Sequence, residues 1–311
     1  MKTLAKNKPL VSVIMPIFNG SFYMEKAINS ILAQTYQNFE LLIVDDASTD
    51  NTWEILKKYK KNYPKKIKLF HLKKNSGAFT AANQAYAKAK GDYIAPMDCD
   101  DISSSTRLAK EVAYLTLHPK VILVGSFAKI INSNDQVTGY KRYEVTHKKI
   151  YRQFAQINPI VHPSCMIRKD CLKKRSFLYY TEYGVNSDYY TLFSLLPLGK
   201  FANIPEYLLS YRVHDKNSSL QNFKKRFYVI STIRLAAVKN FNYRFPLSSL
   251  PKVLLQHIIV ALTPAAILLP LYLTIRGMKT PRPSFNRLNI NIEFPAFLRL
   301  NRATKAFQSQ A

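Results

Sequence analysis

Two short acidic runs are the residues best suited to chemistry: Asp45-Asp46-Ala47-Ser48-Thr49-Asp50 and Asp98-Cys99-Asp100-Asp101. Each follows a run of apolar, β-prone residues, so each is expected at the carboxyl end of a strand. Carboxylates brought together there repel one another and raise each other's pKa. A hard divalent cation, Mg²⁺ or Mn²⁺, relieves the repulsion by taking one or two of them and completing its shell with water and substrate phosphates. Asp50 has a plainer use, because it stands before Thr52 as a helix cap. Asp101 can serve a helix beginning near Thr106 in the same way.

The acidic runs are carried by an alternation of short β-rich runs and longer stretches of helical period, which predicts parallel strands joined by crossover helices. Strands are expected at 11–15, 39–44, 67–72, 93–97 and 121–127, with helices near 23–34, 52–60, 78–90 and 106–117. The predicted fold is α/β: a Rossmann-like, open, mostly parallel sheet flanked by helices. Ligands bind such sheets at the carboxyl ends of the strands, where both acidic runs lie. From 132 to about 220 the pattern is irregular, with a hairpin expected at 132–139 and short strands at 164–167 and 207–213.

A composition of 47% hydrophobic and 13% aromatic residues excludes a largely disordered chain. The net charge of +27 is uneven: from Lys216 onward fifteen Lys and Arg face one acid, Glu293. Such a surface attracts nucleic acid, an anionic lipid leaflet or a phosphate-bearing substrate. Nucleic acid is the poorest fit, since the carboxylates at the strand ends repel a phosphate backbone. The three cysteines, Cys99, Cys165 and Cys171, show no zinc-like spacing and no complete pairing, which suits a reducing setting. The basic start leads into an apolar run that breaks at Pro16, too short for a signal peptide.

Residues 253–275 contain no Asp, Glu, Lys or Arg and are flanked by Lys252 and Arg276. The stretch is long enough to span a bilayer, but Pro264 and Pro270 interrupt it, and half-helices lying in the interface would keep both basic flanks on one leaflet. The alternative is a buried core helix. The expected organisation is a catalytic domain at 1–220, in two parts at 1–130 and 131–220, and a basic, helical, membrane-associating region at 221–311.

Four segments in order resemble the family 2 glycosyltransferases: Val11-Ser12-Val13-Ile14-Met15-Pro16, Ser30-Ile31-Leu32-Ala33-Gln34-Thr35-Tyr36, the run from Val44 to Asp50, and Met97-Asp98-Cys99-Asp100-Asp101. The resemblance covers about 215 residues. It implies the GT-A fold, a nucleotide-sugar donor such as a UDP-sugar, a DxD metal motif and inversion at the anomeric carbon. By position it implies that Pro16, Phe18 and Asn19 wrap the nucleotide, that Asp46 holds the base, and that Asp98 lies near ribose and sugar. Asp100 matches the metal ligand. Asn75 and Gly77 match an Asn-x-Gly turn at the donor, and Asn83 matches a donor-side Asn whose usual Arg neighbour is here Ala82.

An inverting transfer also needs a general base for the acceptor hydroxyl. The resemblance places it at Asp188, in Ser187-Asp188-Tyr189 where the family usually has Glu-Asp-Tyr; a helix cap is the plain alternative. Tyr211-Arg212-Val213-His214 matches a closing Tyr-Arg-x-His motif, with Arg212 expected on donor phosphate and His214 on the metal. His162 is expected on the acceptor side. No Gln-x-x-Arg-Trp follows the expected base, which favours single addition over processive synthesis. A nucleotidyltransferase is the rival enzyme, but no Gly-rich basic loop follows the first strand to grip a triphosphate; a catalytically silent binding protein is the other rival. The expected partners are a nucleotide sugar, a glycan or lipid-linked acceptor and an anionic membrane surface, with the chain on the cytoplasmic face of the plasma membrane in surface-polysaccharide or glycolipid synthesis.

Overall fold

The computed structural model describes residues 8–214, 217, 222–264, 267, 268 and 270. Its first half is built from β1 (Val11–Ile17), α1 (Met24–Leu32), β2 (Phe39–Asp45), α2 (Thr52–Asn62), β3 (Ile67–His71), α3 (Ala78–Lys88) and β4 (Tyr93–Pro96). β1 pairs in parallel with β2 and β4, and β2 with β3, so the strands run in the order β3-β2-β1-β4. These are the expected elements, shifted by a few residues at most.

The chain continues through β5 (Ile102–Ser103), α4 (Arg107–Leu117), β6 (Val121–Ile131), β7 (Val137–Lys141), α5 (His147–Gln153), β8 (Met166–Arg168), α6 (Ser187–Leu195), β9 (Lys200–Arg212), α7 (Phe223–Phe241) and α8 (Leu250–Leu262). Here β8 runs antiparallel to β4 and β6, β7 to β6, and β5 to β9, while β9 is parallel to β6. Four pairings are parallel and four antiparallel, so the sheet is mixed rather than mostly parallel. The expected hairpin forms between β6 and β7, its turn held by the Asn132 side chain accepting from the Asn134 and Gln136 amides.

Side chains alternate across the strands and divide the core in two. Val13, Met15, Leu41 and Ile43 join one buried cluster, with Met24, Ile28 and Ile31 of α1 and Leu108 of α4; Ile14, Leu42 and Val44 join the other, with Ala81 and Ala85 of α3. Burying each large aliphatic side chain contributes about 2 kcal/mol. Gln34, just past α1, is 1% exposed: its amide donates to the Ser30 and Ser104 carbonyls and its oxygen accepts from the Leu108 amide. It clamps the end of α1 to the start of α4.

β9 is longer than its expected fragment at 207–213 because Pro205 breaks the pattern on paper. In space Ser126 faces Ile204 and the next residue, Phe127, faces Tyr207, so Pro205 sits in a bulge where its missing N–H costs no ladder bond. α7 contributes Ile233 and Ala237 to the core cluster of the α3 face, so no break in packing marks the expected boundary near 220. α8 ends at Leu262, just before Pro264; the remainder of the expected 253–275 stretch falls mostly outside the described residues. No helix among the described residues is long and apolar enough to cross a membrane.

Candidate active site

The carboxyl ends of β1, β2 and β4 open into one cleft of about 1600 Å³, whose walls include Pro16, Phe18, Asn19, Asp46, Asn75, Gly77, Asp98, Asp100, His162, Asp188 and His214. Eleven residues expected at the site from sequence therefore share one cavity.

One side of the cleft is built from loops that tie one another. Asn19, at φ 50°, accepts from the Thr49 amide at 2.8 Å, and its own amide donates to Ser48 Oγ at 2.9 Å. Asp46 Oδ1 accepts from the Ser76 amide and hydroxyl, both at 2.8 Å, and Oδ2 from the Gly77 amide at 2.8 Å. Asp46 thus shapes the 75–77 turn from within the cleft wall. Gly77 is needed for its φ of 89°, since a Cβ there would meet nothing within 4 Å. Asp50 stands one residue before the N-cap of α2, Asn51, and accepts from the Thr52 amide at 3.0 Å, so it supports the helix start from just outside it.

Ligand oxygens of Asp98, Asp100 and Asp101 lie within 4.8 Å of one another. Burial pushes the Asp98 carboxyl up to about 7, and the negative charges of Asp100 and Asp188 add to the effect. Asp101, also raised well above the ordinary range by burial and by Asp100, does not cap α4; its Oδ1 accepts from the Arg212 amide at 2.8 Å. Its Oδ2 is buried with no hydrogen-bond partner. His214 Nε2 lies 3.0 Å from Asp100 Oδ2, and Asn217 Nδ2 reaches the same oxygen at 3.3 Å. This oxygen-rich cluster with an orphaned carboxylate oxygen fits a hard divalent cation, with His214 beside it.

Arg212 is not where the sequence places it. It is 1% exposed, donates from Nε to the Asp100 carbonyl at 2.7 Å, pairs with Asp135 Oδ1 at 2.6 Å, and stacks over the Tyr23 ring at 4.5 Å. It fastens the acidic loop from behind and does not line the cleft. Asn83 is corrected in the same way. Its oxygen accepts from the Leu178 and Tyr179 amides at 3.0 and 2.8 Å, and its nitrogen donates to the Tyr179 carbonyl at 2.8 Å, so it positions Tyr179 and does not line the cleft.

Across the cleft, Asp188 stands in the first turn of α6 without capping it, and its Oδ2 accepts from Asn158 Nδ2 at 3.0 Å. His162 Nε2 meets Tyr179 Oη at 2.8 Å; burial lowers the His162 pKa, which favours the neutral ring, although Asp188 opposes this. Sequence reasoning missed Asn158 and Tyr179 as supports, since neither sits in a recognisable pattern. Asp101 was visible in the acidic run but its role as a staple to β9 was not.

With the cleft in view, comparison with known proteins is direct: residues 12–175 match the model of the family described as Glycosyl transferase family 2. The O-antigen biosynthesis glycosyltransferase WbnJ of Escherichia coli is 34% identical over 67% of this chain and 82% of that protein. The S. aureus TarS fragment 1–349 in complex with UDP has a TM-score of 0.56 at 22% identity, over 72% of this chain and 65% of that one. The mannosyltransferase PcManGT from Pyrobaculum calidifontis, in complex with GDP-Man and Mn²⁺, has a TM-score of 0.59 at 19% identity, over 88% and 77%. The two structures share the GT-A-like fold. This chain belongs to glycosyl transferase family 2 and is a glycosyltransferase with relatives in surface-polysaccharide synthesis.

Proposed function

We propose that the chain transfers a hexosyl or N-acetylhexosaminyl group from a nucleotide sugar, a UDP-sugar foremost, to an acceptor hydroxyl, with inversion at the anomeric carbon. The reading is carried by one observation: Asp46, Asp98 and Asp100 line the same cleft as Asp188. Pro16, Phe18, Asn19, Asn75 and Gly77 form the donor wall around Asp46. Asp100 and His214 would hold a divalent cation, Mn²⁺ or Mg²⁺, which when bound would supply positive charge to the leaving diphosphate. Asp98 holds the sugar and ribose end. Asp188, oriented by Asn158, takes the acceptor proton as the hydroxyl oxygen attacks the opposite face of the sugar. His162 borders the acceptor, held by Tyr179.

The acceptor is a glycan or lipid-linked glycan of a bacterial surface polysaccharide or glycolipid, and the basic C-terminal region sets the enzyme against an anionic membrane on the cytoplasmic side. WbnJ supports this setting by its named process, and TarS and PcManGT support the donor class by the nucleotides in their complexes.

The test is a screen of nucleotide sugars for thermal stabilisation in Mn²⁺, followed by transfer assays with the donor that stabilises. Asp188→Asn should lower transfer by about 10²- to 10⁴-fold while donor stabilisation persists. Asp100→Ala should lose the part of donor binding that depends on Mn²⁺. Near-wild-type transfer by Asp188→Asn rejects its role as base, and absence of stabilisation by any nucleotide sugar rejects the donor reading.

A further inference from the structure

The cleft extends beyond Asp188 onto α7 and α8. Arg226, Ile230 and Arg234 recur at four-residue spacing on one face of α7 and line it, together with Ile259, Val260 and Leu268. The arginines bond the residues that flank Asp188: Arg226 donates to Asn186 Oδ1 at 3.2 Å from Nε and 2.9 Å from a terminal nitrogen, and Arg234 Nε donates to Tyr189 Oη at 3.3 Å. Neither arginine forms an ion pair among the described residues.

Arg234 is only 5% exposed, and its Nη1 is buried with no hydrogen-bond partner. A buried guanidinium without an acid is costly unless an anion compensates it. Beside it the wall turns apolar, and the apolar surface continues outward on α8, where Leu254, Ile258 and Leu262 are 54%, 54% and 79% exposed. A fixed cationic pair next to the base, followed by a greasy wall leading to an exposed apolar helix face, is complementary to an amphiphile with an anionic head.

We propose that α7 and α8 form an acceptor subsite for a lipid phosphate, with the phosphate paired to Arg226 and Arg234 and the hydrocarbon laid along Ile230, Ile259 and Val260. The subsite rests on the glycosyltransferase reading of the cleft and names the acceptor class for it. The anion holds the lipid end of the acceptor, and the hydroxyl to be glycosylated is presented to Asp188 between Asn186 and Tyr189.

The test is isothermal titration of the full-length chain, in Mn²⁺ and UDP, with monomeric dodecyl phosphate, inorganic phosphate and the neutral dodecyl maltoside. Dodecyl phosphate is expected to bind at least about tenfold more tightly than either control, because only it uses both walls. Arg226→Gln and Ile259→Ser should each weaken it by about tenfold, leaving UDP binding intact. Arg226 is only partly buried, so this variant carries less folding risk than altering buried Arg234. Equal binding of dodecyl phosphate and inorganic phosphate leaves a simple anion site and overturns the lipid assignment. Equal binding of dodecyl phosphate and dodecyl maltoside, or an unaffected Arg226→Gln, overturns the anion assignment. Failure of the wild-type chain to bind UDP counts against the donor reading, while the three-ligand comparison still judges the subsite.

Discussion

Replacing Asn83 by alanine separates two accounts of the donor side. The side chain makes three hydrogen bonds to the buried 178–179 backbone, at 3.0, 2.8 and 2.8 Å. Leu178 and Tyr179 are 0% and 2% exposed, so water does not freely replace the lost partners. At about 1 kcal/mol for each bond, Asn83→Ala should cost about 3 kcal/mol. For a chain of this size, about 2 °C is lost per kcal/mol, which gives a fall in Tm of about 6 °C. Tyr179 also carries His162, so acceptor turnover should fall with stability while nucleotide affinity is retained. Thermal melts paired with UDP titration in Mn²⁺ measure both quantities. An unchanged Tm with lost UDP affinity would refute the positional account and restore Asn83 to the donor.

Asp46→Ala should release the 75–77 turn and weaken UDP binding by about tenfold, read by titration, since three hydrogen bonds to Ser76 and Gly77 disappear. Arg212→Met strips the Asp100 carbonyl and Asp135 of a buried cation and should destabilise the chain by about 3 kcal/mol, with Mn²⁺ affinity falling alongside; a melt unchanged from wild type would contradict the fastening role. Burial opposes ionisation of Glu40, but hydrogen bonds from Lys68, Ser12 and the Lys90 amide outweigh it and hold its pKa below the ordinary 4.5. A depressed carboxylate stabilises the fold fully above its unfolded pKa and stops doing so as pH falls through the folded value. Wild type should therefore exceed Glu40→Gln in Tm at pH 7, and the two melts should converge as pH falls below 4.5 through the depressed folded value; parallel curves would show that Glu40 contributes no pH-linked stability.

The first half of the fold was legible because local pattern and tertiary role agree there: the runs at β1, β2 and β4 are apolar on both faces, and helices cover both. β9 was not, since the proline that ends a strand on paper is absorbed by a bulge that only its partner β6 reveals. Site residues follow the same division. Asp46, Asp98, Asp100 and Asp188 reach the cleft because the ends of strands and helices aim them there. Arg212 and Asn83 stand next to cleft residues in sequence, yet their side chains turn to partners distant in sequence, Asp135 and Tyr179. Position in a motif locates a backbone, while the atoms a side chain meets depend on the chain that packs against it.

The clamp at Gln34 bears on how such an enzyme can be rebuilt. Gln34 fixes the segment just after the acidic loop to α1, and Arg212 fixes the loop itself to β9. Among the described residues, none of these ties passes through α7 or α8. The acidic loop is therefore anchored independently of α7 and α8, but α7 itself packs into the core through Ile233 and Ala237, so redesign of that wall is confined to its cleft-facing side chains.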